Sequence, residues 1–258
     1  MKPSLTIIGN GFVGSYFLEQ YSTSFSKIIT TSITSKKHAL SNQHYNFDFY
    51  NERISLPITD VAILGIPFSR QLTNPYDYER GIINLKENLK GYKKVIFLGS
   101  TSIYPLTSRL IDESHSIDNS KRANTLGNCE NFLKKTCKKT FILRLGGICG
   151  YERNSFKKIS MPLINNANLP VNLIHVDDII QFIMTLINHD YSSDTINLCC
   201  TDHPSKKEYY TYICNKLNQK VPQFKNSMEK FKIISNEKLV QKYNYKMKFS
   251  SPLTFKFK

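Results

Sequence analysis

The sequence predicts an α/β protein with a doubly wound parallel sheet. Three observations lead there. Short apolar strands alternate with helical segments along most of the 258 residues, the order that βαβ units produce. The stretch Val61–Pro67 is almost continuously apolar, as expected of a strand covered on both faces. A cluster of three glycines falls where the first strand gives way to the first helix.

The elements follow in order. Ser4–Gly9 reads as a short buried strand and Phe12–Tyr21 as a helix. Lys27–Thr34 is rich in Ile and Thr, the β-branched composition of a strand. After Val61–Pro67 come a helix over Asp77–Leu89 and another apolar strand over Lys94–Ser100. A helix over Ala123–Lys138 precedes the strand Thr140–Leu145. Asp178–Asn188 is read as helix, Asp194–Cys199 as strand and Lys206–Leu217 as helix.

Composition narrows the function classes. A hydrophobic fraction of 40%, with 16 Phe and 15 Tyr, is enough to build a core and excludes wholesale disorder. Apolar runs such as Ile179–Ile187 fall well short of the roughly 20 residues that span a bilayer. Leu5–Ile8 is too short for the core of a signal peptide and runs straight into the glycines. A soluble, cytoplasmic protein without a membrane partner is expected. The six cysteines form no C-x-x-C pair and the six histidines no H-x-x-x-H spacing, so neither a metal site nor a disulfide scaffold is expected.

The net charge is +15, from 35 basic and 20 acidic residues. From residue 206 onward there are 13 Lys and three Glu, so +10 of that charge lies in the last 53 residues. No Arg occurs there, although Arg is the preferred reader of bases and phosphates. Abundant Lys, Ile and Asn with only four Ala is the usage of an AT-rich genome. A solvated lysine surface is therefore expected ahead of a polyanion-binding tail, and nucleic acid is not the expected partner. Nothing in the sequence bears on the oligomeric state.

The glycines spell Gly9-Asn10-Gly11-Phe12-Val13-Gly14, a G-x-G-x-x-G between strand and helix. Gly9 permits the tight turn, Gly11 lets backbone approach a pyrophosphate, and Gly14 permits close packing of helix on strand. The N–H groups and positive dipole end of the helix then face the phosphates. Residues 9–14 are accordingly candidate dinucleotide-binding residues in a Rossmann-type fold. An NAD site wants an acid about 20 residues further on, for the ribose 2′-hydroxyl. No acid lies between Glu19 and Asp48; Ser35, Lys36 and Lys37 stand at the end of the second strand instead. One hydroxyl and two lysines suit a 2′-phosphate, so NADP is expected ahead of NAD.

Four segments in order carry a resemblance: residues 9–14, Leu98-Gly-Ser-Thr-Ser-Ile-Tyr-Pro105, Ile142-Leu-Arg-Leu-Gly-Gly-Ile-Cys-Gly150 and Ile174-His-Val-Asp-Asp178. Ile196-Asn-Leu198 and the closing stretch around Tyr245 and 249–253 continue it. The chain resembles the extended short-chain dehydrogenase/reductases, the NAD(P)-dependent epimerase/dehydratase family, over nearly its whole length. The resemblance implies a Rossmann domain over residues 1–150, with residues 151–258 forming a smaller, substrate-side lobe interleaved with the same fold. It implies that Ser100 is the catalytic serine that holds the substrate oxygen, and that Ser102 is a neighbouring hydroxyl contacting substrate. Ile66 and Pro67 would lie beside the cofactor, Tyr104 would be structural, and the Asp of His175-Val-Asp-Asp178 would cap a helix under the substrate cleft. The implied substrate is a nucleotide-sugar or another small carbonyl compound.

One departure bears on chemistry. The family moves protons with Tyr-x-x-x-Lys on the helix after the serine, the Lys lowering the tyrosine pKa from about 10. Between residues 105 and 150 this sequence has no tyrosine, and its only Tyr-x-x-x-Lys is Tyr212/Lys216, far downstream. The glycine motif is also the older dinucleotide form rather than the G-x-x-G-x-x-G usual in the family. The chain thus resembles an atypical subgroup. Glu130, a serine or a bound water is the available substitute acid or base if the protein catalyses. A non-catalytic dinucleotide-binding sensor or assembly protein, and a basic module that docks RNA or an acidic partner through its lysines, are the alternatives.

Overall fold

The computed structural model describes residues 1–33, 38–68, 73–153 and 163–257. Its strands are β1 (Ser4–Ile8), β2 (Lys27–Ser32), β3 (Gln43–Asn46), β4 (Val61–Leu64), β5 (Lys94–Ser100), β6 (Leu110–Ile111), β7 (Thr140–Leu145), β8 (Gly147–Cys149), β9 (Leu163–Asn165), β10 (Leu173–His175), β11 (Asp194–Leu198), β12 (Gln223–Lys225) and β13 (Ile233–Ile234). The α-helices are α1 (Phe12–Tyr21), α2 (Tyr76–Asn84), α3 (Lys86–Gly91), α4 (Lys121–Thr136), α5 (Val176–Asn188), α6 (Lys206–Lys216) and α7 (Glu237–Gln241).

Seven strands form one sheet in the order β3-β2-β1-β4-β5-β7-β11. Pairing is parallel from β3 through β5. This is the doubly wound, Rossmann-like architecture. Strand β4 lies at its centre and is buried along its whole length, and beside it β1 buries Leu5, Ile7 and Ile8 completely. Ile8 is level with Thr31 of β2 on one side and with Leu64 of β4 on the other. The chain order reverses between β1 and β4. Such a switch point leaves a crevice beyond the carboxyl ends of the strands.

Two expectations need correction in detail. The single helix expected over 77–89 is two, because Leu85 leaves helical geometry (φ −83°, ψ 3°) while burying its side chain completely. The edge strand β3 went unread because its four residues, Gln-His-Tyr-Asn, carry no apolar alternation.

The chain divides into two compact units that interleave in sequence. One comprises residues 1–103, 117–143 and 183–195; the other comprises 104–116, 144–182 and 196–258. Within the second, short parallel pairs (β8 with β10, β9 with β12, β6 with β13) frame a core of Tyr209, Phe249, Phe255, Ile213, Cys149 and Cys200. All six cysteines are buried, and none of them forms a disulfide. Among the described residues no helix is long and apolar enough to cross a membrane, and no three His, Cys, Asp or Glu side chains cluster as metal ligands would.

Candidate functional site: the glycine turn and the end of β5

Each motif glycine has a separate structural reason. Gly9 sits at φ +82°, where a Cβ would come within 2.6 Å of Ile66 Cγ1 and 3.0 Å of the Ile66 backbone nitrogen. Only glycine tolerates both the conformation and the contact. A Cβ on Gly14 would lie 2.4 Å from Asn10 Oδ1 and 3.1 Å from Ile7 Cγ2, so α1 packs directly on β1 there. At Gly11 a Cβ would meet nothing within 4 Å. That side of the backbone is open.

The turn is pinned from below. The Asn10 amide donates to the Thr31 carbonyl (2.7 Å), and the Gly9 amide to Thr31 Oγ1 (3.1 Å). The Gly65 amide donates to the Ile8 carbonyl at 2.8 Å, which ties the end of β4 to the same turn. Helix α1 begins at Phe12 with Gly11 as its N-cap, without a side-chain cap or an acid in its first turn. Its first amides have no partners within the helix, and its positive end is not neutralised from within. Val13 is buried, and the Phe12 ring packs on Tyr16 at 4.8 Å.

A cavity of about 420 Å³ opens beside this turn, lined by residues 9–11, 31–33, 47–50 and 65–67. It brings together Gly9, Asn10, Gly11, Ile66 and Pro67 from the expected cofactor set. Phe12, Val13 and Gly14 are not in its wall; they shape the turn instead. Ser35, Lys36 and Lys37 lie outside the described residues. The carbonyls of Ile66 and Pro67 accept from Tyr78 (2.9 Å) and Tyr50 (3.3 Å). Their backbone is thereby held by two aromatic side chains.

Sequence reasoning missed Asp48 and Tyr50 in this wall. Asp48 accepts from the Asn51 side-chain amide (2.8 Å) and the Tyr50 backbone amide (3.0 Å). The Asn51 contact, more than any other, holds its carboxyl below the usual range. The available signal was the run of aromatic residues at 45, 47, 49 and 50.

A second polar cluster in the same unit lies at the end of β5. Ser100 closes the strand, and a tight 3₁₀ turn over residues 101–103 brings Ser102 back onto it. Ser100 Oγ accepts from the Ser102 amide (3.1 Å) and donates to Ser102 Oγ (2.9 Å). From α4, Arg122 reaches the same hydroxyl: its Nε donates to Ser102 Oγ at 3.4 Å. Its guanidinium also donates to the Phe68 carbonyl (3.0 Å) and stacks 4.1 Å from the Phe68 ring. Arg122 was not singled out from the sequence. Glu130, the suggested substitute acid, lies eight residues further along α4 and is only 3% exposed. It is a core residue, not a surface one. Beside it, burial pushes the Cys129 thiol up to about 12, with the Glu79 and Glu130 charges adding to the shift.

In the second unit Tyr104 is buried. Its hydroxyl donates to Asn197 Oδ1 (2.9 Å) and accepts from Arg144 (2.7 Å), the arrangement of a structural group. The expected helix-capping aspartate does something else. Asp178 lies inside the first turn of α5 and accepts from the backbone amides of Lys248 (2.7 Å) and Phe249 (3.1 Å) and from the Tyr245 hydroxyl (3.2 Å). It clamps the closing segment of the chain.

No protein-family model matches the chain. Protein YeeZ of Escherichia coli K12 is 25% identical over 202 residues, which are 75% of this chain and 73% of that protein. A conserved protein of unknown function from Silicibacter pomeroyi superposes with a TM-score of 0.80 at 15% identity, covering 97% of this chain and 95% of the other. UDP-glucuronic acid 4-epimerase from Bacillus cereus, solved with NAD, gives 0.79 at 16% identity over 98% and 97%. MoeE5, solved with UDP-glucuronic acid and NAD, gives 0.78 at 13% over 98% and 97%. At such identities these structures establish the shared fold.

Proposed function

We propose that this protein binds a nicotinamide dinucleotide at the glycine turn, NADP in preference to NAD, and acts on a nucleotide-sugar or other small carbonyl substrate. The observation that carries the reading is the open side of Gly11, which faces outward at the N-terminus of α1 beside the 420 Å³ cavity. A pyrophosphate needs that combination: backbone it can approach and a positive helix end. Solved proteins of the same fold hold NAD and UDP-sugars, which supports the reading.

The bound nicotinamide would supply hydride transfer. The chain's own part is to hold the pyrophosphate at residues 9–11, to seat the adenosine end along the cavity wall, and to set the backbone of Ile66 and Pro67 beside the dinucleotide. Lys36 and Lys37 would pair with a 2′-phosphate. Ser100 and Ser102 would hold the substrate oxygen. With no tyrosine between residues 105 and 150, proton transfer by a phenol from α4 has no source. That supports the second reading, a dinucleotide-binding sensor or assembly protein without turnover.

Titration with NADPH and NADH tests the reading. NADPH should bind more tightly, and replacing Lys36 and Lys37 together by Ala should abolish the preference, since charge-assisted contacts contribute about 1.5–3 kcal/mol each. If the double variant binds NADPH as tightly as the parent at low salt, the preference is refuted. If neither dinucleotide binds, the whole reading is. A screen for hydride transfer then separates the two readings: losing a positioned acid or base costs roughly 10²–10⁴-fold, so only a residual rate is expected on standard epimerase substrates.

A further inference from the structure

We infer that Ser102 and Arg122 form an anion-binding pair at the end of β5 that recognises a carboxylate on the substrate, and that towards this carboxylate Ser100 acts by orienting Ser102. The inference deepens the substrate side of the proposed function and rests on that reading only for the nucleotide-sugar scaffold. It comes from the direction of the hydrogen bonds. Ser100 Oγ is occupied in both senses, accepting from the Ser102 amide and donating to Ser102 Oγ. Ser102 Oγ is a double acceptor, from Ser100 and from Arg122 Nε. A hydroxyl that accepts twice still has its own proton to donate. Ser102 is exposed, whereas Ser100 is half-buried, so the outward donor is Ser102.

Arg122 sets the chemistry of what that donor meets. Its guanidinium is held in place by the Phe68 carbonyl and the Phe68 ring. An oriented guanidinium loses little freedom when it binds an anion, and its planar fork matches a carboxylate. It does not give up a proton, so it cannot replace a tyrosine as an acid. Arg122 is also the second residue of α4, a 16-residue helix capped by Ser120, so the positive end of that helix adds to the charge. A fixed positive charge with an adjacent hydroxyl donor favours a fixed negative charge, and the predicted substrate class is a nucleoside diphosphate sugar whose sugar bears a carboxylate.

Calorimetric titration of UDP-glucuronic acid against UDP-glucose, each with and without NADPH, tests this. The acid should bind about ten- to a hundred-fold more tightly than the neutral sugar, and the preference should shrink as salt rises. Arg122→Gln should erase the preference, Arg122→Lys should retain part of it, and Ser102→Ala should weaken the acid severalfold more than it weakens the neutral sugar. Ser100→Ala should cost less than Ser102→Ala, because Ser100 acts through its neighbour. Melting curves establish that each variant is folded. Equal binding of the two sugars by the parent, no binding of either, or an intact preference in folded Arg122→Gln overturns the inference. NADPH binding by the parent and by Arg122→Gln, titrated alone, reports separately on the dinucleotide reading and should not change.

Discussion

Replacing Gly11 and Gly9 one at a time separates ligand binding from folding. Gly11 has ordinary backbone geometry (φ −100°, ψ −148°), and a side chain there meets no protein atom within 4 Å. Gly11→Val should leave the melting temperature within about 2 °C of the parent, because open surface positions rarely cost more than about 0.5 kcal/mol. The same two methyl groups occupy the place a pyrophosphate must take. Losing even two charge-assisted bonds, at about 1.5–3 kcal/mol each, weakens dinucleotide binding by roughly 10²-fold or more. Gly9→Ala should behave in the opposite way. Left-handed backbone costs a residue with a Cβ about 1–2 kcal/mol. The 3.0 Å approach to the Ile66 backbone adds to that, because backbone yields less readily than a side-chain tip. A total of about 2–3 kcal/mol lowers the melting temperature by roughly 5–10 °C in a chain of this size. Thermal melts followed by NADPH titration read both quantities. The reasoning is refuted if Gly11→Val binds NADPH like the parent, or if it melts as low as Gly9→Ala.

Other consequences concern the second unit. Asp178→Ala removes the acceptor of two backbone amides and a buried hydroxyl, and should cost about 2–4 kcal/mol in urea denaturation; a cost below 1 kcal/mol contradicts the clamp. Tyr104→Phe removes the hydroxyl that Arg144 donates to and should destabilise by about 1.5–3 kcal/mol, whereas an unchanged midpoint would mean the bond contributes nothing. His175 is fully buried, and burial lowers its pKa to about 4. Between about pH 6.5 and 4 the unfolded chain therefore takes up a proton that the folded one refuses. The contribution is fully present above pH 6.5 and falls by up to about 3 kcal/mol as pH drops to 4. His175→Phe should flatten that window relative to the parent, and an equally steep acid limb in the variant would rule the imidazole out as its source.

What could be read from the sequence, and what could not, divides along a physical line. The glycine turn was legible because its demands are local: a positive φ at residue 9 and a close approach at residue 14 each leave one residue type acceptable, whatever the rest of the fold does. Strand β4 was legible for a similar reason, since a strand buried on both faces must be apolar throughout. Asp48 was not, because β3 is a polar edge strand whose place is decided by its pairing with β2 rather than by its own pattern. Arg122 was not, because its importance arises from three segments distant in sequence: the carbonyl and ring of Phe68, the hydroxyl of Ser102 and the first turn of α4. The missing tyrosine pointed attention to Glu130, the one acid on α4. The structure buries that acid and places a cation within reach of the serines instead. Arginine holds its proton at every relevant pH, so what this helix brings to the end of β5 is charge, suited to recognising an anion and not to relaying a proton.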